Sequence, residues 1–326
     1  MKKRIYKVMA LVMAMMTVIS LSACGSGSKE TSASTSEQQT EASDKTKLSI
    51  AFVTYSDSEP TTVSYKEGMQ ECVDDYAAKG INIEVSSFNP EGDSSKQVSG
   101  IENMVSKNVQ AIVFSPVDSD ALVPAVKQAK ASDVIVVTFD QIVNTDVDAA
   151  ITIDNSAVGA MMGEEAVRIL GGSGKVLVVE TPPAVVSCKQ RSDAAIEVLK
   201  SAGMEVVTVL TDTPTREKEM TAIENALQAD PDIQAIIGID TDTSMAGVLA
   251  SEAQKMTDIA VICPDITDEV RDAIRDGRNM ASVIDTKHRA LGYTATETAI
   301  KKLLGEEVEN VVLDDFDIIT AENVDK

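Results

Sequence analysis

Short polar segments follow the apolar runs of this sequence, and most of their side chains accept hydrogen bonds. The segments are residues 55–60, 115–121, 138–141, 187–191, 240–242 and 264–265. Their carboxylates and hydroxyls are accompanied by the guanidinium of Arg191 and the carboxamide of Gln141. A set of many acceptors with few cations suits a small ligand that carries many hydroxyl groups.

The groups that usually carry catalysis or bind metals are scarce. His288 is the only histidine, and the four cysteines, Cys24, Cys72, Cys188 and Cys263, lie far apart. This composition excludes a histidine-rich metal cage or a zinc ribbon, and it leaves little for nucleophilic catalysis. The composition does not exclude an enzyme, although many of the usual catalytic groups are missing. We predict a chain that is not an enzyme and that holds no metal and no cofactor.

Cys188 and His288 still need an interpretation, because Cys188 lies within a polar segment and His288 lies near the start of a predicted helix. A cysteine nucleophile needs a neighbouring base, and His288 is the only imidazole that could serve. We interpret Cys188 as a small packed thiol and His288 as a structural residue. Cys72 falls on the apolar stripe of a predicted helix and is interpreted as a core residue.

The chain of 326 residues is strongly acidic. It has 29 Lys and Arg against 52 Asp and Glu, which gives a formal net charge of −23. A surface of this sign repels phosphate backbones, so we predict that the chain does not bind nucleic acid. The length is sufficient for about two domains.

Strand and helix patterns alternate along the chain from Leu48 onward. Apolar runs bounded by polar turns predict strands buried on both faces at residues 49–53, 111–114, 134–137, 176–179, 235–239 and 259–263. Amphipathic helices lie between these runs. The first of them has an apolar stripe made of Tyr65, Met69, Cys72, Val73 and Tyr76.

A later helix carries Met220, Ile223 and Leu227 on one face and is predicted to begin near residues 213–214. Buried strands that alternate with helices indicate parallel sheets covered on both sides. We predict an α/β fold with two Rossmann-like lobes. In open sheets of this kind ligands bind beyond the carboxyl ends of the strands, so the polar segments are expected to line a cleft between the lobes.

The first 24 residues have the features of a secretion signal. A basic start (residues 2–7) is followed by an apolar run (residues 8–19), and the segment ends in Leu-Ser-Ala-Cys24. This ending resembles the lipobox of bacterial lipoproteins, which implies lipidation of Cys24 and removal of residues 1–23. The alternative is a plain signal peptide with a chance cysteine. Residues 24–45 have no apolar periodicity and predict a flexible linker.

From Leu48 to the C-terminus the chain resembles the sugar-binding branch of the type I periplasmic binding proteins, the ribose- and galactose-binding group. The resemblance lies in Ser-Pro-Val-Asp-Ser-Asp-Ala-Leu at residues 115–122, Phe139-Asp140, Asp154-Asn155 followed by Gly159, Arg191, and Asp265. It implies a binding protein that closes two lobes on its ligand around a three-segment hinge and delivers the ligand to the permease and ATPase of an ABC importer. The implied lobes are residues 46–153 plus 286–314 and residues 154–285 plus 315–326.

The resemblance also implies which residues contact the ligand. They are Tyr55, Ser115, Asp140, Gln141, Arg191, Thr241, Asp265 and Asp285. Asp140, Arg191 and Asp265 keep the residue types of the family contacts, whereas the other polar residues differ from those common in ribose-binding proteins. Thr61, Thr62 and Pro264 replace aromatic residues that stack on the sugar, which leaves Tyr55 as the aromatic candidate. The resemblance therefore does not identify ribose as the ligand.

Each of these residues also has a structural alternative. Asp140 and Asp265 could be solvated turn residues, and Arg191 could orient an aspartate across its lobe or be an exposed residue at a helix start. Ser115 could be only a turn or cap residue. Three aspartates against one clear cation disfavour an anionic ligand, so we predict a neutral polyhydroxylated solute, with a cationic one as the second choice.

The leading prediction for function is a monomeric, lipid-anchored binding protein for a sugar-like solute at the extracytoplasmic face of a bacterial membrane. One alternative is a sensory binding protein that presents its closed form to a membrane receptor kinase. Another is a two-lobed extracytoplasmic enzyme that would use Asp140 with Asp265 as its acid and base.

Overall fold

The computed structural model describes residues 47–182, 185–211 and 215–326. The strands of the first sheet are β1 (Lys47–Val53), β2 (Asn82–Ser86), β3 (Ala111–Phe114), β4 (Ile135–Phe139), β5 (Ala149–Ile153) and β11 (Val311–Leu313). The strands of the second sheet are β6 (Lys175–Glu180), β7 (Glu205–Leu210), β8 (Ile233–Gly238), β9 (Ala260–Pro264), β10 (Met280–Asp285) and β12 (Asp317–Ile319). The central strands are buried because helices cover both faces, and all residues of β3 and β9 are buried.

The helices of the described residues lie between these strands. In chain order they are α1 (Thr62–Ala78), α2 (Ser94–Ser106), α3 (Val123–Ala131), α4 (Asn155–Leu170), α5 (Val186–Ser201), α6 (Arg216–Ala229), α7 (Thr241–Ala253), α8 (Asp268–Arg275) and α9 (His288–Leu303). α1 buries Tyr65, Cys72 and Tyr76, as the predicted stripe requires. The start predicted for α6, at residues 213–214, lies outside the described residues.

The two sheets have equivalent strand orders. The first is β11-β5-β4-β3-β1-β2 and the second is β12-β10-β9-β8-β6-β7. All strand pairs are parallel except β10 with β12, which is antiparallel. The prediction of two Rossmann-like lobes is confirmed, with β12 as the exception to parallel pairing.

The chain passes between the two sheets at three places. It leaves the first sheet after β5, returns after β10 through α9, which packs on α1, and crosses again between β11 and β12. Whether these connections bend as a hinge stays a prediction. No helix of residues 47–182, 185–211 and 215–326 is long and apolar enough to cross a membrane.

Two glycines allow the helix crossings that position the cleft residues. A Cβ atom on Gly159 of α4 would overlap the backbone carbonyl of Arg191 on α5, so the close contact of these helices requires glycine there. Likewise, a Cβ atom on Gly292 of α9 would overlap the backbone carbonyl of Tyr65 on α1. The first crossing places Arg191, and the second brings His288 against Tyr65, with ring centroids 4.9 Å apart.

Candidate ligand-binding site

Arg191 is held by three oxygen atoms at the carboxyl end of the second sheet. Its Nε donates to Oδ1 of Asn155 at 2.8 Å, and its NH1 donates to the carbonyl of Ile239 at 3.1 Å. NH1 also lies 3.4 Å from Oδ2 of Asp265. The side chain is buried, so these contacts fix the guanidinium in one orientation. Burial excludes the alternative that Arg191 is an exposed residue at a helix start. The other alternative, that Arg191 orients Asp265, agrees with these contacts and does not prevent Arg191 from also contacting a ligand.

Asp265 follows β9 in a left-handed conformation, with φ of 79°, and its backbone N–H donates to the carbonyl of Ile284 at 2.9 Å. Its Oδ1 accepts a hydrogen bond from the Thr286 hydroxyl at 2.6 Å. Burial alone would raise the pKa of this carboxyl, but the charge of Arg191, the interaction with His288 and the hydrogen bond from Thr286 together outweigh burial and hold the pKa below its ordinary value. Asp265 is therefore a buried carboxylate and not a solvated turn residue.

Asp140 occupies the equivalent position in the first lobe. It follows β4 with φ of 64°, and its backbone N–H donates to the carbonyl of Ile151 on the next strand at 2.9 Å. Burial raises the pKa of Asp140 above its ordinary value, although Arg191 and His288 act in the opposite direction. The two aspartates thus have the same backbone setting and different electrostatic environments.

Gln141 and Ser187 join the two lobes across the cleft. Nε2 of Gln141, in the loop after β4, donates to Oγ of Ser187 in the first turn of α5 at 3.0 Å. The carboxyl ends of the two sheets therefore face one another, as the sequence predicts for ligand binding between lobes.

Several buried hydroxyls at these strand ends have no hydrogen-bond partner within the described residues. The buried side-chain atoms without a partner are Oγ of Ser115, Oγ1 of Thr138, Thr181, Thr211 and Thr241, and Oε2 of Glu219. Ser115 follows β3, Thr138 is on β4, and Thr241 begins α7 after β8. A buried polar atom without a partner costs about 1–3 kcal/mol, so these positions need a reason other than the stability of the fold.

The structure adds to this region two acidic groups of the polar segments that were not among the predicted ligand contacts. Glu59, in the loop after β1, has its pKa raised to about 7 by burial and by the charges of Asp240 and Asp242 of the second lobe. Burial also raises the pKa of Asp240, whose carboxylate caps α7 by accepting from the backbone N–H of Thr243 at 2.7 Å. These residues make the cleft more acidic than the three predicted aspartates imply.

Two further predicted ligand contacts, Asp285 and Tyr55, lie against residues other than Arg191 and Asp265. Asp285 accepts from the backbone N–H of Lys287 at 2.9 Å and lies 3.3 Å from the Lys287 ammonium. Tyr55 is 39% exposed and packs beside Gly92. Within the described residues no hydrogen bond or ion pair joins Tyr55 or Asp285 to Arg191 or Asp265, so their role in binding stays a prediction. Cys24 lies outside the described residues.

The three cysteines of the described residues form no disulfide, and their thiols stay protonated at neutral pH. Cys72, Cys188 and Cys263 are free and buried, and burial raises the pKa of both Cys72 and Cys188 to about 12. The interpretations of Cys188 as a packed thiol and of Cys72 as a core residue are confirmed. No group of three or more His, Cys, Asp or Glu side chains within the described ranges is arranged to hold a metal ion.

Known proteins resemble this chain in sequence and in fold. It matches the family model of the periplasmic binding protein domain over residues 50–307. It is 30% identical to the ribose import binding protein of Bacillus subtilis over 254 residues, which cover 78% of this chain and 81% of that protein.

Two solved structures extend the comparison. One is an ABC transporter solute-binding protein from Actinobacillus succinogenes with bound D-allose, with a TM-score of 0.78 at 22% identity, covering 85% of this chain and 99% of that chain. The other is an ABC transporter solute-binding protein from Bacillus halodurans with bound myo-inositol, with a TM-score of 0.74 at 23% identity, covering 86% and 97% of the two chains. At these identities the structures support the two-lobed fold.

Proposed function

Since the chain belongs to the sugar-binding branch of the type I periplasmic binding proteins, we propose that it captures a small polyhydroxylated solute between its lobes and delivers it to an ABC importer. Members of this family bind solutes and do not transform them, so the chain is a binding protein and not an enzyme. The relatives described above concern ribose, D-allose and myo-inositol, which share a ring with several hydroxyl groups.

The observation that carries the proposal is the set of hydroxyls, partnerless within the described ranges, at the carboxyl ends of the strands, where Asp140 and Asp265 also lie. Ser115 and Thr241 stand at facing strand ends of the two lobes, and neither hydroxyl has a hydrogen-bond partner within the described ranges. A ligand hydroxyl can both donate and accept, so it can satisfy a carboxylate and a threonine at the same time. Selectivity then arises because a wrong ligand leaves buried groups unpaired.

The charges of the cleft support a neutral solute and disfavour an anionic one. Arg191 is the buried guanidinium of the site, and its charge is already offset by Asp265. Asp140, Glu59 and Asp240 add further acidic groups. A phosphate or carboxylate would therefore lie among like charges in a partly dry cleft, which is unfavourable. A cationic solute is the second choice.

The place of action follows from the N-terminal segment. We propose that Cys24 carries a lipid anchor, that residues 24–45 form a flexible linker, and that the folded part works as a monomer outside the membrane. The lobes are proposed to be residues 46–153 plus 286–314 and residues 154–285 plus 315–326. Delivery to a permease then depends on lobe closure about the three connections.

A thermal-shift screen of the chain from residue 25 onward tests the ligand class. The probes are D-ribose, D-allose, myo-inositol and ribose 5-phosphate. A ligand at 100 times its dissociation constant should stabilise the folded chain by about 2.7 kcal/mol. Stabilisation by ribose 5-phosphate, with none by the neutral compounds, would contradict the proposal.

Thr241→Val separates a ligand contact from a structural residue. The variant removes a buried hydroxyl that has no partner among the described residues, so stability without ligand should stay the same or rise, whereas binding should weaken about three- to thirty-fold. Thr296→Val is the matched control, because the buried Thr296 hydroxyl donates to the carbonyl of Gly292 at 2.8 Å within α9. The control should change stability and leave the affinity unaltered. Unchanged affinity in Thr241→Val would remove Thr241 from the site.

A further inference from the structure

His288 is the only histidine of the chain, and it lies where the first lobe approaches the second. It is the first residue of α9 and is 7% exposed. Its ring meets the ring of Tyr65 edge-on, at an interplanar angle of 80°. Because α9 packs on α1 and on strands of the first sheet, the imidazole is anchored in the first lobe. The sequence interpretation of His288 as merely structural accounts for this apolar contact and for no more.

The polar atoms of the same ring reach a carboxylate of the second lobe. Nε2 of His288 is 3.5 Å from Oδ1 of Asp265, and the ring nitrogens are 3.3 and 3.4 Å from Oγ1 of Thr286. The Thr286 hydroxyl has one proton and donates it to Asp265 at 2.6 Å. Oγ1 of Thr286 is nearly equidistant from the two ring nitrogens, so it lies off the direction of either imidazole N–H and does not accept a hydrogen bond from the ring. His288 therefore approaches Asp265 directly, through Nε2, beside the Thr286 hydroxyl that donates to the same oxygen, Oδ1.

The other oxygen of Asp265 is held from within the second lobe. Oδ2 faces NH1 of Arg191 at 3.4 Å, and the Asp265 side chain is nearly inaccessible to solvent. The carboxylate is thus fixed from one side by Arg191 and from the other by a residue of α9. Groups that contact a ligand have to be held to within a fraction of an ångström, and the partners behind them supply that rigidity.

We propose that His288 is a positioning residue of the ligand site, which holds the Asp265 carboxylate in place from the first lobe through the contact of Nε2 with Oδ1. The inference deepens the proposed function and rests on it, because Asp265 needs precise orientation only as a ligand contact. His288 acts through Asp265 and does not itself touch the solute.

The first experiment needs no ligand. In a chain from residue 25 onward, purified without a histidine tag, the NMR spectrum contains the imidazole signals of one histidine. Asp265→Asn and Thr286→Val should each move the imidazole nitrogen signals, because the first removes the carboxylate that faces Nε2 and the second removes the hydroxyl that lies against both ring nitrogens. Thr298→Val, a control on the same helix whose hydroxyl donates to the carbonyl of Thr294 at 2.7 Å, should leave them in place. Unmoved signals in both Thr286→Val and Asp265→Asn would overturn the proposal.

The second experiment separates positioning from packing. His288→Phe keeps a ring against Tyr65 and removes both nitrogens, whereas His288→Gln restores an N–H donor. Of D-ribose, D-allose and myo-inositol, the compound that binds the unaltered chain most tightly is the probe. His288→Phe should weaken its binding about five- to fifty-fold and reduce discrimination against a deoxy analogue, and His288→Gln should recover most of both.

Equal affinity and equal discrimination in His288→Phe and the unaltered chain would also overturn the proposal, whatever happens to thermal stability. If the unaltered chain binds none of the three compounds, the proposed ligand class fails. In that case the NMR experiment alone tests the contact between His288 and Asp265. A failure of the proposed ligand class can therefore be distinguished from a failure of the proposal for His288.

Discussion

Replacing Glu219 by glutamine should raise the free energy of unfolding at pH 8 and change it far less at pH 5. Glu219 lies on α6 and is 1% exposed, and its Oε2 has no hydrogen-bond partner among the described residues. Burial, followed by the charges of Asp240 and Asp242, raises the pKa of Glu219 to about 7. Glutamine has nearly the same shape without the charge, so the variant removes the cost of ionising a buried carboxyl.

The sign and size of the effect follow from proton linkage. The folded chain binds the Glu219 proton more tightly than the unfolded chain does, so its contribution to stability is complete below pH 4.5 and is lost as the pH rises to about 7. A shift from 4.5 to about 7 corresponds to roughly 3 kcal/mol, at 1.36 kcal/mol per pKa unit. Relaxation and water around the helix reduce that energy, so we expect a gain of about 1–3 kcal/mol at pH 8.

Urea unfolding at pH 5 and pH 8 measures this difference, provided that the slope with denaturant is the same in both proteins. Glu217→Gln is the matched control, because Glu217 is an exposed residue of the same helix. It should change the free energy of unfolding by no more than a few tenths of a kcal/mol at either pH. A Glu219→Gln protein that gains no stability at pH 8, or gains the same amount at pH 5, would refute the electrostatic reasoning.

Three further predictions concern the fold, the anchor and the closure of the lobes. Gly159→Ala should lower the free energy of unfolding by about 1–3 kcal/mol, measured by urea unfolding, because the added methyl group overlaps the carbonyl of Arg191. Cys24→Ala should yield a protein without lipid, either uncleaved or released to the medium, and a processed, lipid-modified variant in membrane fractions would contradict the lipobox prediction. A bound sugar should compact the folded part in solution X-ray scattering, and Arg191→Ala should suppress compaction at concentrations that saturate the unaltered chain. Tight binding without a change in shape would contradict lobe closure.

Six strands inside the sheets could be predicted from the sequence because burial on both faces produces uninterrupted apolar runs. β5 and β10 also lie inside their sheets but were not predicted, since half-buried residues interrupt their buried ones. The predicted strand at residues 111–114 coincides with β3, and the one at residues 176–179 lies within β6. The edge strands β2 and β7 were not predicted, since each has several residues that are exposed or half-buried and so lacks such a run. The antiparallel β12 has three residues, too few to show a period.

The site could be predicted only where a strand end identifies it. Asp140 and Asp265 follow apolar strands directly, so topology alone brings them to the cleft. Glu59 lies within a loop, and the sequence does not reveal that it faces Asp240 of the other lobe. Glu219 did leave a signal, because it lies four residues before Ile223 and eight before Leu227, on the buried face of α6. A carboxylate on an apolar stripe indicates a buried charge.

The two aspartates show how one backbone arrangement can serve two purposes. Asp140 and Asp265 both follow the equivalent strand of their sheet in a left-handed conformation. Asp265 is already paired with Arg191 and accepts from Thr286, whereas no ion pair holds Asp140 within the described part of the chain. A ligand hydroxyl that donates to Asp140 meets a carboxylate without an ion-pair partner among the described residues, whereas at Asp265 it competes with contacts already made. Discrimination between a sugar and its deoxy analogues should therefore depend more on Asp140 than on Asp265, even though Asp265 is the more deeply buried of the two.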